Sequence, residues 1–234
     1  MSNNPPTVGT IVSNTNPAHL PGTEPLTGQH VTLERLTKNH FPDLYENVAS
    51  HTDLWVWWPD GPFSTTSEFD DYLNRHLEMG PELVIYAVHL RSGPNKGKAV
   101  GLAFGQSEDR FTNRVAEIGL LFGPQLQRTR AGTEVVYLLS NLLFELNHRR
   151  LQWKTNSLNL PSKRAAERYG FVYEGTFRQH QINRGRNRDS SWYSIIDSEW
   201  PICKKAFEKW LEDENFDEEQ RQRRKLEEIR DGLR

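Results

Sequence analysis

The chain has almost no cysteine, no long apolar run and almost no net charge. A single cysteine among 234 residues, Cys203, cannot form an intramolecular disulfide, so nothing points to an oxidising compartment. No apolar stretch approaches the roughly 20 residues of a membrane-spanning helix. The first thirty residues scatter Pro, Asn and Thr where a signal peptide would carry an apolar core. A formal net charge of -2 lacks the basic excess of a dedicated nucleic-acid or membrane-surface protein. Internal repeats are missing too. The expectation is a soluble, cytoplasmic protein with neither membrane nor nucleic acid as its main partner. Its length suits one domain plus tails. What the chain does have is seven tryptophans, and large aromatics serve cores, interfaces and substrate pockets.

Residues 1–24 are rich in Pro, Asn, Thr and Gly without periodicity, which predicts a flexible tail. Alternation then predicts a strand over 30–36 and, after a cap at Asn39, a helix with the stripe Leu44, Tyr45 and Val48. The aromatic loop 54–63 ends in the turn Pro59-Asp60-Gly61-Pro62, and a helix over 67–78 follows. Strands are expected over 83–90, from 99 to 104 and over 114–122. Val135, Leu138, Leu139, Leu142, Leu143 and Leu146 form the strongest helical stripe. Beyond it come a strand over 151–155, a helix over 161–169 that opens on a tolerated proline, and strands over 171–179 and 191–196 around a turn at 184–189. Residues 202–234 read as a charged helical stretch. The order predicts an α+β fold.

The richest segment runs from Ala116 to Leu142. The apolar run Glu117-Ile118-Gly119-Leu120-Leu121-Phe122 stops at Gly123-Pro124, and the basic turn Gln127-Arg128-Thr129-Arg130-Ala131-Gly132-Thr133 opens a helix expected to begin near Gly132 or Thr133. Unpaired N–H groups at the positive end of a helix dipole, flanked by arginines, suit a diphosphate. The alternative is an ordinary strand-loop-helix with solvated arginines. Downstream stand Asn159-Leu160-Pro161-Ser162 and Gly170-Phe171-Val172-Tyr173-Glu174-Gly175. In order and over about residues 26–201, these blocks resemble the GNAT superfamily of acetyl-CoA-dependent N-acetyltransferases, nearest to its ribosomal-protein-serine acetyltransferase branch. The superfamily's diphosphate turn reads Gln/Arg-x-x-Gly-x-Gly/Ala. Here Gln127 and Gly132 fill the outer positions while Arg130 replaces the inner Gly, so either the turn stays right-handed at 130 or Arg130 faces the phosphates.

The resemblance implies a mixed, mostly antiparallel central sheet flanked by helices: an acetyltransferase domain over 25–200, with a charged helical extension over 201–234. It implies acetyl-CoA as cosubstrate, no metal, and an amine acceptor: a small molecule, an amino acid or a protein N-terminus. The main-chain groups of Leu120 and Phe122 would meet the pantetheine, residues 127–133 the diphosphate, and Asn159 and Ser162 the thioester end. Buried-strand, helix-cap and helix-start roles are the plainer alternatives for these residues. Transfer needs a neutral amine and a proton for the departing thiolate. Ser162 matches the family position for that acid. Glu117 is the first candidate base, against a surface carboxylate. The resemblance also implies a second glutamate on the strand after Phe171, where this chain has Gln181, and neighbouring His180 could act instead, an imidazole titrating near neutrality. Trp55, Trp57, Trp58, Asp60 and Phe63 fall where the superfamily builds its acceptor pocket; a core or homodimer contact is the alternative. Arg178, Arg184, Arg186 and Arg188 read as a solvated hairpin or as contacts to RNA or a carboxylate. The rival function is a non-catalytic acyl-CoA-binding or RNA-associated module on the same fold.

Overall fold

The structure, a computed structural model, describes residues 8–234. Eight strands form one sheet in the order β1-β2-β3-β4-β5-β6-β8-β7. In chain order they are β1 (Leu26–Thr27), β2 (Val31–Arg35), β3 (Leu83–Leu90), β4 (Ala99–Asp109), β5 (Val115–Phe122), β6 (Arg150–Asn156), β7 (Val172–Asn183) and β8 (Arg186–Ile196). Every neighbouring pair is antiparallel except β5 and β6, which are joined by a helical crossover. The helices are α1 (Phe41–Leu44, continued by a wide turn through Tyr45–Ala49), α2 (Thr66–Leu77), α3 (Arg130–Glu145), α4 (Leu160–Tyr169), α5 (Trp200–Leu211) and α6 (Leu226–Asp231).

Central strands bury both faces, which is why β4 and β5 read as continuous apolar runs rather than alternating ones. One face carries Ala103, Ala116 and Ile118 under α3, α4, α5 and α6. The other carries Ala87, Leu102 and Leu121 under α1 and α2. Local signals set the helix ends. Thr65 and Glu68 form a reciprocal capping box on α2. Asn159 caps α4, and Gly170 closes it at φ 100°.

Three expectations need correction. The segment read as a flexible tail is tied to the body between residues 14 and 19: Ala18 is buried, its N–H donates to the Arg110 carbonyl at 2.7 Å, and His19 N–H donates to Leu146 at 2.8 Å. Residues 1–7 of that expectation lie outside the described residues. The turn placed at 184–189 narrows to Arg184-Gly185, because β7 and β8 pair on through Asn183 and Arg186. The charged stretch after residue 201 is not a surface helix. Its α5 and α6 form a hairpin whose Cys203, Phe207, Trp210, Phe216, Leu226 and Ile229 enter the core.

Candidate active site

β5 and β6 pair only at Val115–Arg150, Ala116–Leu151 and Glu117–Gln152, and beyond these residues they diverge. Backbone direction alternates along a strand. Gly123 N–H donates to the Val100 carbonyl on β4 at 3.0 Å, whereas the Phe122 carbonyl accepts from the Gln127 side-chain amide at 3.0 Å. Leu121 and Gly119 therefore address β4, and Phe122 and Leu120 turn their main-chain groups into the open wedge. Their side chains pack under α3.

At the wedge's wide end lies the basic turn. Thr129 caps α3: its hydroxyl accepts from Gly132 N–H at 3.0 Å and donates to the Leu126 carbonyl at 2.8 Å. The helix thus starts at Arg130, two to three residues before the expected start. Positive φ, 59°, falls on Arg128, and Arg130 is a right-handed helical residue. Gly132 is needed for contact instead, since a Cβ there would stand 2.2 Å from the Leu126 carbonyl oxygen. The N–H groups of Gln127, Arg128, Arg130 and Ala131 find no main-chain or side-chain acceptor among the described residues.

The side chains of this turn face elsewhere. Arg130 was expected either to face the phosphates or to keep the turn right-handed, and the second alternative describes the backbone. Its guanidinium donates to the Leu211 carbonyl, pairs with Asp213 at 2.8 Å and lies 4.2 Å over the Phe216 ring. Thr133 is buried, donating to the Thr129 carbonyl at 3.2 Å and accepting from Arg168 at 3.1 Å. Backbone groups, with Gln127 and Arg128 at the surface, are what this turn presents.

On the β6 side of the wedge, Asn159 accepts from Ser162 N–H at 3.2 Å, and the Ser162 hydroxyl oxygen accepts from the Trp153 indole N–H at 3.0 Å. A hydroxyl oriented by an incoming donor keeps its own proton available to an acceptor. Glu117, where the strands part, meets the Lys154 ammonium at 2.5 Å, and the same ammonium meets Glu108 at 2.6 Å. Burial pushes the Glu117 carboxyl up, against the downward pull of Lys154. Burial pulls Lys154 down, but Glu117 and Glu108 outweigh it and the ammonium is held above its ordinary value.

The aromatic loop divides. Trp55 is fully buried and, with Phe63, Phe69 and Tyr72, forms an edge-on aromatic core, so the core reading applies to Trp55 and Phe63. Trp58 leans on that cluster, half-buried Trp57 joins none of its ring contacts, and Asp60 lies 3.7 Å from Arg75 at the surface. His180 hydrogen-bonds through Nδ1 to the Ser190 hydroxyl at 2.9 Å, its ring 6.0 Å from that of Trp192. It occupies a bulge in β7, where a surface depression of about 890 Å³ is lined by Phe177, Arg178, Gln179, His180, Asn187 and Asp189.

Sequence reasoning missed Lys154, and it read Arg184 as part of a solvated hairpin or as a contact to RNA or a carboxylate, where the structure gives it main-chain carbonyls. From the β7–β8 tip, Arg184 donates to the carbonyls of Trp55 at 3.1 Å, Val56 at 2.8 Å and Gly61 at 2.9 Å, tying the hairpin to the aromatic loop. It missed Glu134 as well, whose buried carboxylate accepts from the N–H groups of Gln29, His30 and Val31 at 2.7, 2.7 and 2.9 Å. Among the described residues Glu34, His40 and His89 bring potential metal ligands within 4.8 Å. The Nδ1 of His40, however, accepts from Thr37 N–H at 3.1 Å, which puts the ring proton, not a lone pair, on the Nε2 facing Glu34.

A mixed sheet split between two central parallel strands, with a helix N-terminus at the mouth of the split, leaves an open strand edge leading to a turn of free N–H groups, a shape that suits an extended anionic ligand. A GNAT acetyltransferase domain family matches residues 30–172. A GCN5-related N-acetyltransferase from Brucella melitensis is 36% identical, with 94% of this chain and 100% of that one covered and a TM-score of 0.87. A probable GNAT-family acetyltransferase from Chromobacterium violaceum is 31% identical over 85% of this chain and 100% of its own, TM-score 0.77. A spermidine N-acetyltransferase from Vibrio cholerae, solved with CoA and spermine, shares the fold at 19% identity, covering 73% of this chain and 98% of that chain, TM-score 0.59. Among curated proteins no sequence matches the chain. The chain belongs to the GNAT acetyltransferase family and is an N-acetyltransferase. Among the described residues no helix is long and apolar enough to cross a membrane.

Proposed function

We propose that this enzyme moves an acetyl group to a primary amine by direct attack, with Glu117 serving the amine and Ser162 the leaving thiolate. The divergence of β5 from β6 after Glu117 and Gln152 carries this reading, because it leaves an unpaired strand edge running from the carboxylate to the basic turn. Acetyl-CoA, when bound, supplies the thioester carbonyl that the amine attacks. The main-chain groups of Leu120 and the N–H of Phe122 suit the amide-bearing pantetheine, while the Phe122 carbonyl already accepts from Gln127. The free N–H groups of Gln127, Arg128, Arg130 and Ala131, at the positive end of α3, suit the diphosphate. The residues present fit the cosubstrate, and the fit rests on backbone groups rather than on the turn's arginines.

Glu117 takes the amine's proton through an ordered water, and its raised pKa favours that acceptance. Ser162, oriented by Trp153, donates its hydrogen bond to the thiolate. Trp57 and Trp58 are the acceptor-wall residues of the aromatic loop, while Trp55 and Phe63 hold that loop in shape. A covalent enzyme intermediate is disfavoured at Cys203, whose thiol burial pushes up. Glu117→Gln should lower kcat by about 10²–10⁴ while CoA affinity stays within about twofold. Thiol release and calorimetric CoA titration measure the two. Full turnover by Glu117→Gln across the pH range would remove Glu117 as the base and pass the role to His180.

A further inference from the structure

Among the described residues, two buried donors on one face of the sheet have nothing to bond. Arg188, Ser190 and Trp192 alternate along β8 and so share one face. Trp192 stands in register with Lys154 of β6, whose ammonium lies 4.7 Å over the indole, and Gln152 of β6 stands in register with Glu117. The Arg188 side chain is half-buried and makes no hydrogen bond or ion pair among the described residues, and its Nε is shut off from solvent. The Trp192 indole N–H is likewise buried without an acceptor. Native structures rarely leave such groups unpaired, and a guanidinium least of all. No carboxylate comes within hydrogen-bond or ion-pair distance of either donor: Glu117 acts on Arg188 only through space, and its contact and that of Glu108 go to Lys154. Gln152 completes the set from the opposite sense, with its Oε1 buried and lacking a donor beside Glu117.

From this juxtaposition we infer that the acceptor amine carries a carboxylate close to the reacting nitrogen, that Arg188 and the Trp192 N–H receive the carboxylate, and that Glu117 and Gln152 receive the amine. The inference rests on the acetyl-transfer reading above. A guanidinium presents a planar fork matched to a carboxylate, and the indole adds one further donor. A polyamine fits poorly, because its second ammonium would meet Arg188 and Lys154 with no unspent carboxylate between them. An apolar α-amino acid fits, its body lying against the Trp192 and Phe177 rings, which are 4.9 Å apart.

The test compares acetyl-CoA-dependent thiol release with leucine and phenylalanine, their amides, the corresponding decarboxylated amines, a tripeptide amide and spermidine, in the wild type, Arg188→Leu and Arg188→Lys. The free amino acids should exceed their amides in kcat/KM by about tenfold to hundredfold, the range of one charge-assisted pair. Arg188→Leu should collapse that ratio to within about threefold, mainly through KM, and Arg188→Lys should retain part of it even if the leucine variant misfolds. Calorimetric CoA binding separates the two levels of the argument. Intact CoA binding with amides, amines, the tripeptide amide or spermidine turned over as well as the free acids, with no free acid turned over, or with an unchanged ratio in both variants, overturns the carboxylate inference alone. Absence of CoA binding overturns the acetyl-transfer reading and this inference with it.

Discussion

Replacing Lys154 by methionine probes the charge arrangement on which the candidate base depends. The ammonium meets Glu117 at 2.5 Å and Glu108 at 2.6 Å and lies 4.7 Å over Trp192. Removing one partner of a buried ion pair typically costs about 3–5 kcal/mol, because a desolvated charge is left behind. Here the Lys154 and Glu117 side chains keep 19% and 17% of their exposure, so water recovers part of the loss and about 3 kcal/mol is expected at neutral pH. The sign of the pH dependence follows from burial, which already holds the Glu117 carboxyl above its ordinary 4.5 against the pull of Lys154. Without the ammonium the folded-state value rises further. A carboxyl whose folded pKa exceeds its unfolded one contributes stability that is lost as pH rises through the folded value. The variant's deficit should therefore be largest at neutral pH and shrink as pH falls toward 4.5. Urea unfolding across that window, followed by tryptophan fluorescence, measures it. The Glu117→Gln/Lys154→Met double variant should be more stable than Lys154→Met alone, since it removes the orphaned charge. A neutral-pH deficit below about 1 kcal/mol, or a double variant whose cost equals the sum of the singles, refutes the buried-pair account.

Gly132→Ala places a Cβ 2.2 Å from the Leu126 carbonyl oxygen, a backbone atom that cannot swing aside. A loss of about 1–3 kcal/mol in thermal or urea melts is expected, with weaker CoA binding as the turn shifts; a wild-type melt would contradict the close approach. Arg130→Ala removes the contacts to Asp213, Leu211 and Phe216, and because Asp213 is 73% exposed only about 1 kcal/mol should be lost. Hydrogen exchange over 211–216 should quicken while CoA affinity at low salt holds within about twofold. A tenfold, salt-dependent drop in that affinity would show that the guanidinium serves the phosphates.

What the sequence made legible was local. The β5 run, the Asn159 cap, the Pro161 start and the Gly170 stop each depend on residues within one turn of one another, and each stands where expected. The start of α3 was misjudged because the Thr129 hydroxyl, not the glycine three residues on, ends the loop. The length of β7 was underread because it is an edge strand exposed along much of its length, so its polar residues show no alternation. The C-terminal hairpin was hidden by the charges that separate Trp200, Phe207, Trp210 and Phe216. Other contacts had no local signal at all: Glu134 meets Val31 across 103 residues and Arg184 meets Val56 across 128. Only the closed sheet brings Lys154 to Glu117, so the state of the candidate base could not be read from either residue's neighbours in sequence.

Arg130 and the C-terminal hairpin explain each other. An inner glycine in the diphosphate turn is useful where the chain must adopt positive φ, but here Arg128 takes that conformation and residue 130 is already helical, so a side chain carries no backbone penalty. The arginine then needs partners for a largely buried guanidinium, and the Leu211 carbonyl, Asp213 and Phe216 supply them. The same hairpin reaches α4, where Arg230 donates to the Arg168 carbonyl at 2.8 Å and to the Glu167 carbonyl at 3.3 Å, satisfying the open end of that helix. Arg168 in turn lies 4.7 Å over the Trp210 ring and donates to Thr133 in the first turn of α3 at 3.1 Å. The hairpin thus braces α3 and α4, the two helices whose N-termini flank the wedge. Its side chains stay with the scaffold, and the free backbone N–H groups of the turn are left to the cosubstrate.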